Sequence, residues 1–522
     1  MAETMGRAIN KYVIHNLLTL VLLLLLLVPV LMVLVQWLLN AGKINAISFL
    51  DRGALLLIVN SLLLSATVAL LATLIGTACG FFLYKTHLKG RRLYLLLLIV
   101  PILISPYIFA VAWKDLLFLL FGSTASAFST AGVIAVHTLI YFPLALLITG
   151  NALTNISSSL EEAGLMVTSF RKMIFKIVLP LIRPAFMSSF LLILVFSLGD
   201  FSVPAFFGIK TFTVEIFTQF SAFYNYDAAI TKSLLLVGVC LILLLSEARY
   251  LSGAAFFSIS TRGSNSKIYE MSGIGYVHHT SFAILIILSM LMPVFILLYQ
   301  SLSGREIVID SAWKLLKPAV FQSIKLAFWG ALLISIIGLY AGYWQERLKS
   351  PFTNVLLLIL FILPSTILGI AFIRFYNQPE TGFIYSSLFI VLLGYIGKYG
   401  FIASRITGNG IRQIPVSLEE AAEVSGVRPV NKFIKILLPL LSPSLFVSFV
   451  LTFVLCLGEL GTTIMVYPPG TELMPVKIFT ISANAPQALT SSMALISLLI
   501  TFFFIILFFM AGRVMFKKNS DE

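Results

Sequence analysis

The chain is short of charge, cysteine and nucleotide-binding loops. Only 11% of its 522 residues are Asp, Glu, Lys or Arg while 59% are apolar, which excludes an ordinary soluble domain. The three cysteines, Cys79, Cys240 and Cys456, each lie inside an apolar run. Neither a disulfide framework nor a thiolate metal cluster is expected, and all three read as small packing residues. No Gly-x4-Gly-Lys-Ser/Thr occurs, because Gly42-Lys43 is followed by Ile44 and Gly397-Lys398 by Tyr399. The chain therefore lacks a phosphate-cradling loop of its own. The net charge of +14 comes without a basic patch interleaved with stacking aromatics, so no nucleic-acid partner is expected. No nucleophile, acid-base pair or metal set gathers at one depth, which argues against a membrane-embedded enzyme.

What the chain has in abundance is long apolar runs, each near the roughly 20 residues a bilayer-spanning helix needs. In the first half they are Leu17–Leu39, Ala54–Tyr84, Leu93–Leu120, Ala131–Ala152, Ala185–Phe207 and Ser233–Phe257. In the second they are Ser281–Gln300, Ala319–Trp344, Val355–Tyr376, Phe383–Ser404, Ser444–Tyr467 and Leu489–Ala511. The first has no small-residue cleavage site behind it and reads as a retained helix, not a signal peptide. The expected fold is an all-α polytopic membrane protein of about twelve transmembrane helices. Most Lys and Arg fall in the loops on the side of the N-terminus, which assigns that side, and both termini, to the cytoplasm.

The chain is also built twice. Leu179-Pro180 overlies Leu438-Pro439 at an offset of 259, and the same offset carries Leu198-Gly199-Asp200 onto Leu457-Gly458-Glu459. Val214-Glu-Ile-Phe-Thr218 resembles Val476-Lys-Ile-Phe-Thr480 further on. Two homologous six-helix halves follow, 1–260 and 277–522, joined by a polar connector at 261–276. An even number of spans per half makes the repeats parallel, with a pathway at their interface.

The most distinctive repeat lies in loops 159–184 and 417–443. The second copy reads Glu420-Ala421-Ala422, then Gly426, Ile436 and Leu438-Pro439. Ser417 and Glu420 have capping-box spacing, which predicts a helix from Leu418. Gly426 suits a left-handed helix end and Pro429 the first turn of a second short helix, with Lys432 and Lys435 towards cytosol or headgroups. The first copy has Ser159, Glu161, Glu162, Ala163, Ile177, Leu179 and Pro180. It departs in carrying Gly164 for the second Ala, in being one residue shorter, and in lacking a Gly where Gly426 stands. The two loops are therefore expected to dock unequally.

This pattern resembles the EAA loop, EAA-x3-G-x9-I-x-LP, of ATP-binding-cassette importer permeases, and the span pattern extends the likeness over nearly the whole chain. The resemblance implies a type I importer permease with both halves fused, whose two loops couple to an ATPase. It implies a cytoplasmic ATPase dimer that holds ATP and Mg, a periplasmic or lipid-anchored binding protein, and no cofactor or catalytic residue on this chain. Gly199-Asp-Phe-Ser-Val-Pro-Ala205 and the outward turn Tyr467-Pro-Pro-Gly-Thr-Glu472 resemble the iron(III)-type permeases, making ferric iron the expected cargo. Thiamine, polyamine, phosphonate or sugar-phosphate importers share the architecture. The rival from another class is an ion-gradient-driven secondary transporter, which explains the halves but not the loops.

Asp200 and Glu459 are candidate pathway residues in the fifth span of each half, since ionisable groups in hydrocarbon generally face a bundle interior or a water-filled path. The alternative is that each caps a broken helix. Lys114, Asp115, Lys232, Lys325, Arg374 and Lys398, near span ends or within spans, read mostly as headgroup-reaching side chains. His278-His279 is expected at an interface by the junction.

Overall fold

A computed structural model describes residues 17–40, 51–122, 129–251, 268–269, 275–303 and 308–517. Arg7, Lys11, Arg262, Lys267, Lys518 and most of the connector lie outside the described residues. The described chain is helical, with one isolated bridge between Thr86 and Tyr269. In a medium without water every backbone amide must bond within its own segment, so apolar runs of this length become helices.

The first half runs α1 Leu17–Leu39, α2 Arg52–Lys85, α3 Arg91–Leu103, α4 Pro106–Phe121 and α5 Thr130–Thr154. It continues with α6 Ser158–Val167, α7 Phe170–Gly199, α8 Ser202–Phe206, α9 Phe212–Ser221 and α10 Tyr226–Leu251. The second half repeats this order as α11 His279–Leu302, α12 Ile309–Leu348, α13 Phe352–Ile362, α14 Ser365–Tyr376, α15 Gly382–Tyr385 and α16 Phe389–Gln413. Then follow α17 Val416–Val424, α18 Pro429–Leu457, α19 Thr463–Val466, α20 Met474–Ser482 and α21 Gln487–Lys517.

Two expected spans are broken. The third bends by 94° between α3 and α4, and the ninth by 107° between α13 and α14. Each bent pair still crosses the membrane once, because its flanking helices run parallel. Gly76 and Gly80 of α2 lie against Leu146 and Gly150 of α5 in the same order, and Gly338 and Gly342 of α12 lie against Ala403 and Gly408 of α16. The chain between two parallel helices must return, so α3–α4 and α13–α14 each count as one broken crossing, giving twelve among the described residues. These glycines form a Gly-x3-Gly step in each half that admits close backbone approach. A Cβ on Gly76 would stand 2.7 Å from the Leu146 amide, and one on Gly342 2.7 Å from the Gly408 amide.

Other boundaries shift too. The fifth and eleventh spans start earlier than hydropathy suggests and end at Gly199 and Leu457, and the tenth runs Phe389–Gln413. Four turns are widened: Val28, Leu179, Met292 and Leu438 each donate to the carbonyl five residues back, at Leu23, Ile174, Ile287 and Phe433. Each precedes a proline, whose ring clashes with the carbonyl four residues back and which has no N–H, so the helix relaxes into one π turn. This is the physical content of the repeated Leu-Pro.

The halves exchange their first helices. Helix α1 packs on α14, where the Tyr376 hydroxyl donates to the Leu25 carbonyl at 2.7 Å, and α11 packs reciprocally on α4. His279 meets the Tyr94 hydroxyl at 2.8 Å from its Nδ1, at the junction of the halves as expected. The cysteines are buried and unbridged.

Candidate functional site

Two places carry the repeated polar residues: a pair of corners on one face and a cavity at the centre. At the first corner, α6 and the start of α7 stand at an angle. Glu161 points inward and is fully buried against Lys85, the last residue of α2, with Nζ–Oε1 and Nζ–Oε2 distances of 2.8 and 2.9 Å. At the second, Glu419 is buried against Arg347 near the end of α12, with Nε 2.5 Å from Oε1. The same guanidinium donates to the Ile411 and Ile414 carbonyls at 3.1 and 2.8 Å, closing the C-terminus of α16. The Tyr343 hydroxyl donates to Glu419 Oε2 at 3.4 Å. Each repeated loop is thus tied by its first glutamate to a cation at the end of its own half's second span.

The expected capping boxes do not form. Helix α17 starts at Val416 with Pro415 before it and α6 at Ser158 with Ser157 before it, and neither preceding residue makes a side-chain cap. Helix α17 begins two residues before the expected Leu418, which places Ser417 inside the first turn, as Ser159 is in α6. Lys432 does not reach for headgroups: it is buried, bonds Glu423 at 2.5 Å and lies 3.8 Å from Glu419. Lys435 is exposed. Glu162, Ala163, Glu420 and Ala421 face outward, while Gly164 and Ala422 face inward. Beside them Met166, Val167 and Val424 are 91%, 84% and 90% exposed, so each corner presents an apolar tip edged by a carboxylate.

Gly426 takes φ +72°, and Val427 donates to the Ala422 carbonyl at 3.1 Å, ending α17 as expected; Pro429 opens the next turn. The first corner has no left-handed residue. Thr168, at φ −138°, and Ser169 alone join its two helices, so the missing residue comes out of the linker. A Cβ on Gly164 would lie 2.5 Å from Ile177 Cδ1, the far end of a flexible side chain, so an alanine here would require that side chain to move. Pro180, Leu438 and Pro439 sit at the bases of the corners, directly after the π turns.

The central cavity, of about 200 Å³, is lined by both halves. Asp200 and Glu459 both line it, with Tyr141, Tyr399 and Lys398. Each carboxylate also caps the short helix that follows its span. Asp200 accepts from the amides of Ser202 and Val203 at 3.3 and 3.0 Å, whereas Glu459, one methylene longer, reaches Thr462 and Thr463 at 2.7 and 2.9 Å. His137 Nε2 adds a 2.9 Å contact to Asp200. Lys398 does not leave the membrane interior: it donates to the Leu363 carbonyl at the α13–α14 bend, 3.2 Å away. Lys232 pairs with Glu215 at 2.7 Å, and Asp115 accepts from Ser491 across the halves. The bends and span ends of opposite halves interlock here. Ser105 donates to the Gly458 carbonyl at 2.6 Å, and Gly199 lies against Pro364.

Sequence reading missed Glu419, Lys85, Arg347, Tyr343 and Lys398 as site residues. The available signal was the duplication, which sets Lys85 opposite Arg347 at the ends of the second spans.

The family described as binding-protein-dependent transport system inner membrane component matches residues 72–256 and again residues 334–517. The chain belongs to this family. An Fe(3+)-transport system permease protein of Haemophilus influenzae is 23% identical over 88% of this chain and 91% of its own length. A ferric transport system permease protein of Actinobacillus pleuropneumoniae is 22% identical over 89% and 73%. A putative 2-aminoethylphosphonate transport system permease protein of Salmonella typhi is 26% identical over 42% of this chain and 88% of its own length. This member of the binding-protein-dependent family is a multi-pass membrane permease carrying both family units in one polypeptide.

Proposed function

We propose that this permease imports ferric iron, handed over by a periplasmic or lipid-anchored binding protein, and is driven by a separate cytoplasmic ATPase dimer that binds ATP and Mg. The observation that carries this reading is the pair of inward-anchored corner helices whose Glu162–Ala163 and Glu420–Ala421 segments face outward on one side. The described chain starts and ends on that side, since Thr19 meets Tyr340 at 2.7 Å and Gly512 lies by Phe446. The bias of Lys and Arg towards the loops on that side supports reading it as the cytoplasm.

The mechanism is alternating access. ATPase closure draws α6 and α17 together. The Glu161–Lys85 and Glu419–Arg347 anchors pass the movement to α2 and α12, and the glycine steps carry α5 and α16 with them. The bends at Ser105 and Pro364 then part from Gly458 and Gly199, opening the cavity outward, and hydrolysis reverses the movement. Two carboxylates against one ammonium favour a cationic cargo, and the ferric-transport relatives span most of the chain. Lys398 and the shorter phosphonate-permease relative favour an anion as the second reading.

Proteoliposomes containing the permease, its ATPase and its binding protein should accumulate iron(III) only with ATP. Asp200→Asn with Glu459→Gln should lower uptake while assembly with the ATPase is kept. Uptake of 2-aminoethylphosphonate in place of iron would select the second reading. Uptake without ATP under an ion gradient would overturn both.

A further inference from the structure

The two bends that face the cavity are fastened differently. At each, the helix after the bend starts afresh: the Ile108 amide donates to the Ser105 carbonyl and the Ile367 amide to the Pro364 carbonyl, both at 3.0 Å. The Ile104 and Leu363 carbonyls are left at the corners, outside the ladder of the helix that follows. At the first bend the fastening crosses between the halves, from the Ser105 hydroxyl to the Gly458 carbonyl at 2.6 Å. At the second, Pro364 stands in the place of Ser105, and its contact with the opposite half is apolar: a Cβ on Gly199 would lie 3.7 Å from the Pro364 Cα. The hydrogen bond at this bend comes from its own half, from the Lys398 ammonium of α16 to the Leu363 carbonyl at 3.2 Å.

The duplication gives that ammonium no counterpart. Tyr141, Ala145, Thr149 and Gly150 of α5 recur as Tyr399, Ala403, Thr407 and Gly408 of α16, an offset of 258 that sets Ile140 opposite Lys398. Both side chains line the cavity, but only Lys398 can donate a hydrogen bond. A bond from an ionised donor is about twice as strong as a neutral one, so the second bend is held to α16 more firmly than a hydroxyl could hold it.

We propose that Lys398 is a positioning residue for transport: it binds the α13–α14 bend to α16, so that the second bend travels with the α12–α16 pair as one piece. The first bend is fastened to the opposite half, and it must release Ser105 from Gly458 each time the cavity opens outward. The pathway then has one carried bend and one latched bend. This deepens the importer reading, on which the transport arm of the test rests, whereas the exchange arm does not.

The test uses the full-length permease in lipid nanodiscs for exchange, and in proteoliposomes with its ATPase and binding protein for transport. Lys398→Met should speed deuterium uptake in segment 363–368 by roughly tenfold, the scale of one hydrogen bond from a charged donor, and leave segment 104–109 unchanged. Lys398→Arg, which keeps a charged donor, should restore the protection of 363–368. Ser105→Ala should speed uptake in 104–109 by roughly two- to tenfold, the range commanded by one neutral hydrogen bond, with 363–368 still protected. In transport, Lys398→Met should lower the iron(III) delivered per ATP hydrolysed, and Lys398→Arg should keep it. Loosening of both bends by Lys398→Met, unchanged exchange at 363–368, or an arginine variant that behaves as the methionine one does would overturn the proposal. So would loosening of both bends by Ser105→Ala, a variant that leaves Lys398 in place and decides even if Lys398→Met does not stay monodisperse. If the importer reading failed, the unmodified permease would deliver no iron with ATP, but the exchange contrast between the bends would still decide.

Discussion

At the first corner Lys85 and Glu161 are both fully buried, whereas at the second Arg347 and Glu419 keep 10% and 8% of their side chains exposed and Lys432 stands in reserve. The first relies on a single ammonium touching both oxygens. The second relies on a guanidinium that also closes a helix end, and on its own tyrosine. One mechanical demand, an inward glutamate tied to the end of the second span, has been met by two chemistries after duplication. The tighter corner is the one with less redundancy.

That contrast can be broken by removing the cations. Lys85→Met leaves Glu161 buried without its counter-charge and should destabilise the permease by about 3–5 kcal/mol, read from its unfolding midpoint in detergent. Arg347→Met should cost less, about 1–3 kcal/mol, because Lys432 remains near Glu419 and the chief loss is two carbonyl partners. Equal costs would show that the corners are energetically equivalent. The outward faces offer a second comparison. Glu420→Arg on the regular corner should reduce ATP-driven uptake about tenfold, equivalent to about 1.4 kcal/mol. Glu162→Arg should reduce it markedly less, and matching losses would mean that the two corners dock alike. The smallest effect is expected at the linkers. Gly426→Ala places a side chain at φ +72° and should cost about 1 kcal/mol, measured as a shift in melting temperature, whereas Thr168→Gly, where φ is already negative, gains nothing from glycine's freedom.

The twelve crossings and the duplication were legible because they rest on hydropathy and repetition, which survive without knowledge of neighbours. The bends at Ile104 and Leu363 were not, since a bent pair of apolar helices has the same composition as a straight span. Ser417 and Glu420 misled for a similar reason. Their spacing fits a capping box, but Glu419 is drawn inward by Arg347 from another helix and the turn starts earlier. Gly426 and Pro429 acted as read because their constraints are local. Lys398 was misplaced because its partner, the Leu363 carbonyl, is freed only by a bend that the sequence did not reveal. Asp200 and Glu459 cap the next helix and also line the cavity, so the uptake of the Asp200→Asn, Glu459→Gln variant decides whether they belong to a pathway.

The crossing of α1 and α11 carries a consequence for how such a protein could be assembled. Each elbow beside the cavity is splinted by an arm belonging to the opposite half, so neither half on its own would own a complete wall. A lone half would be born with one flank bare and one arm clasping nothing. Synthesis as one polypeptide guarantees that both arms find their places in equal number.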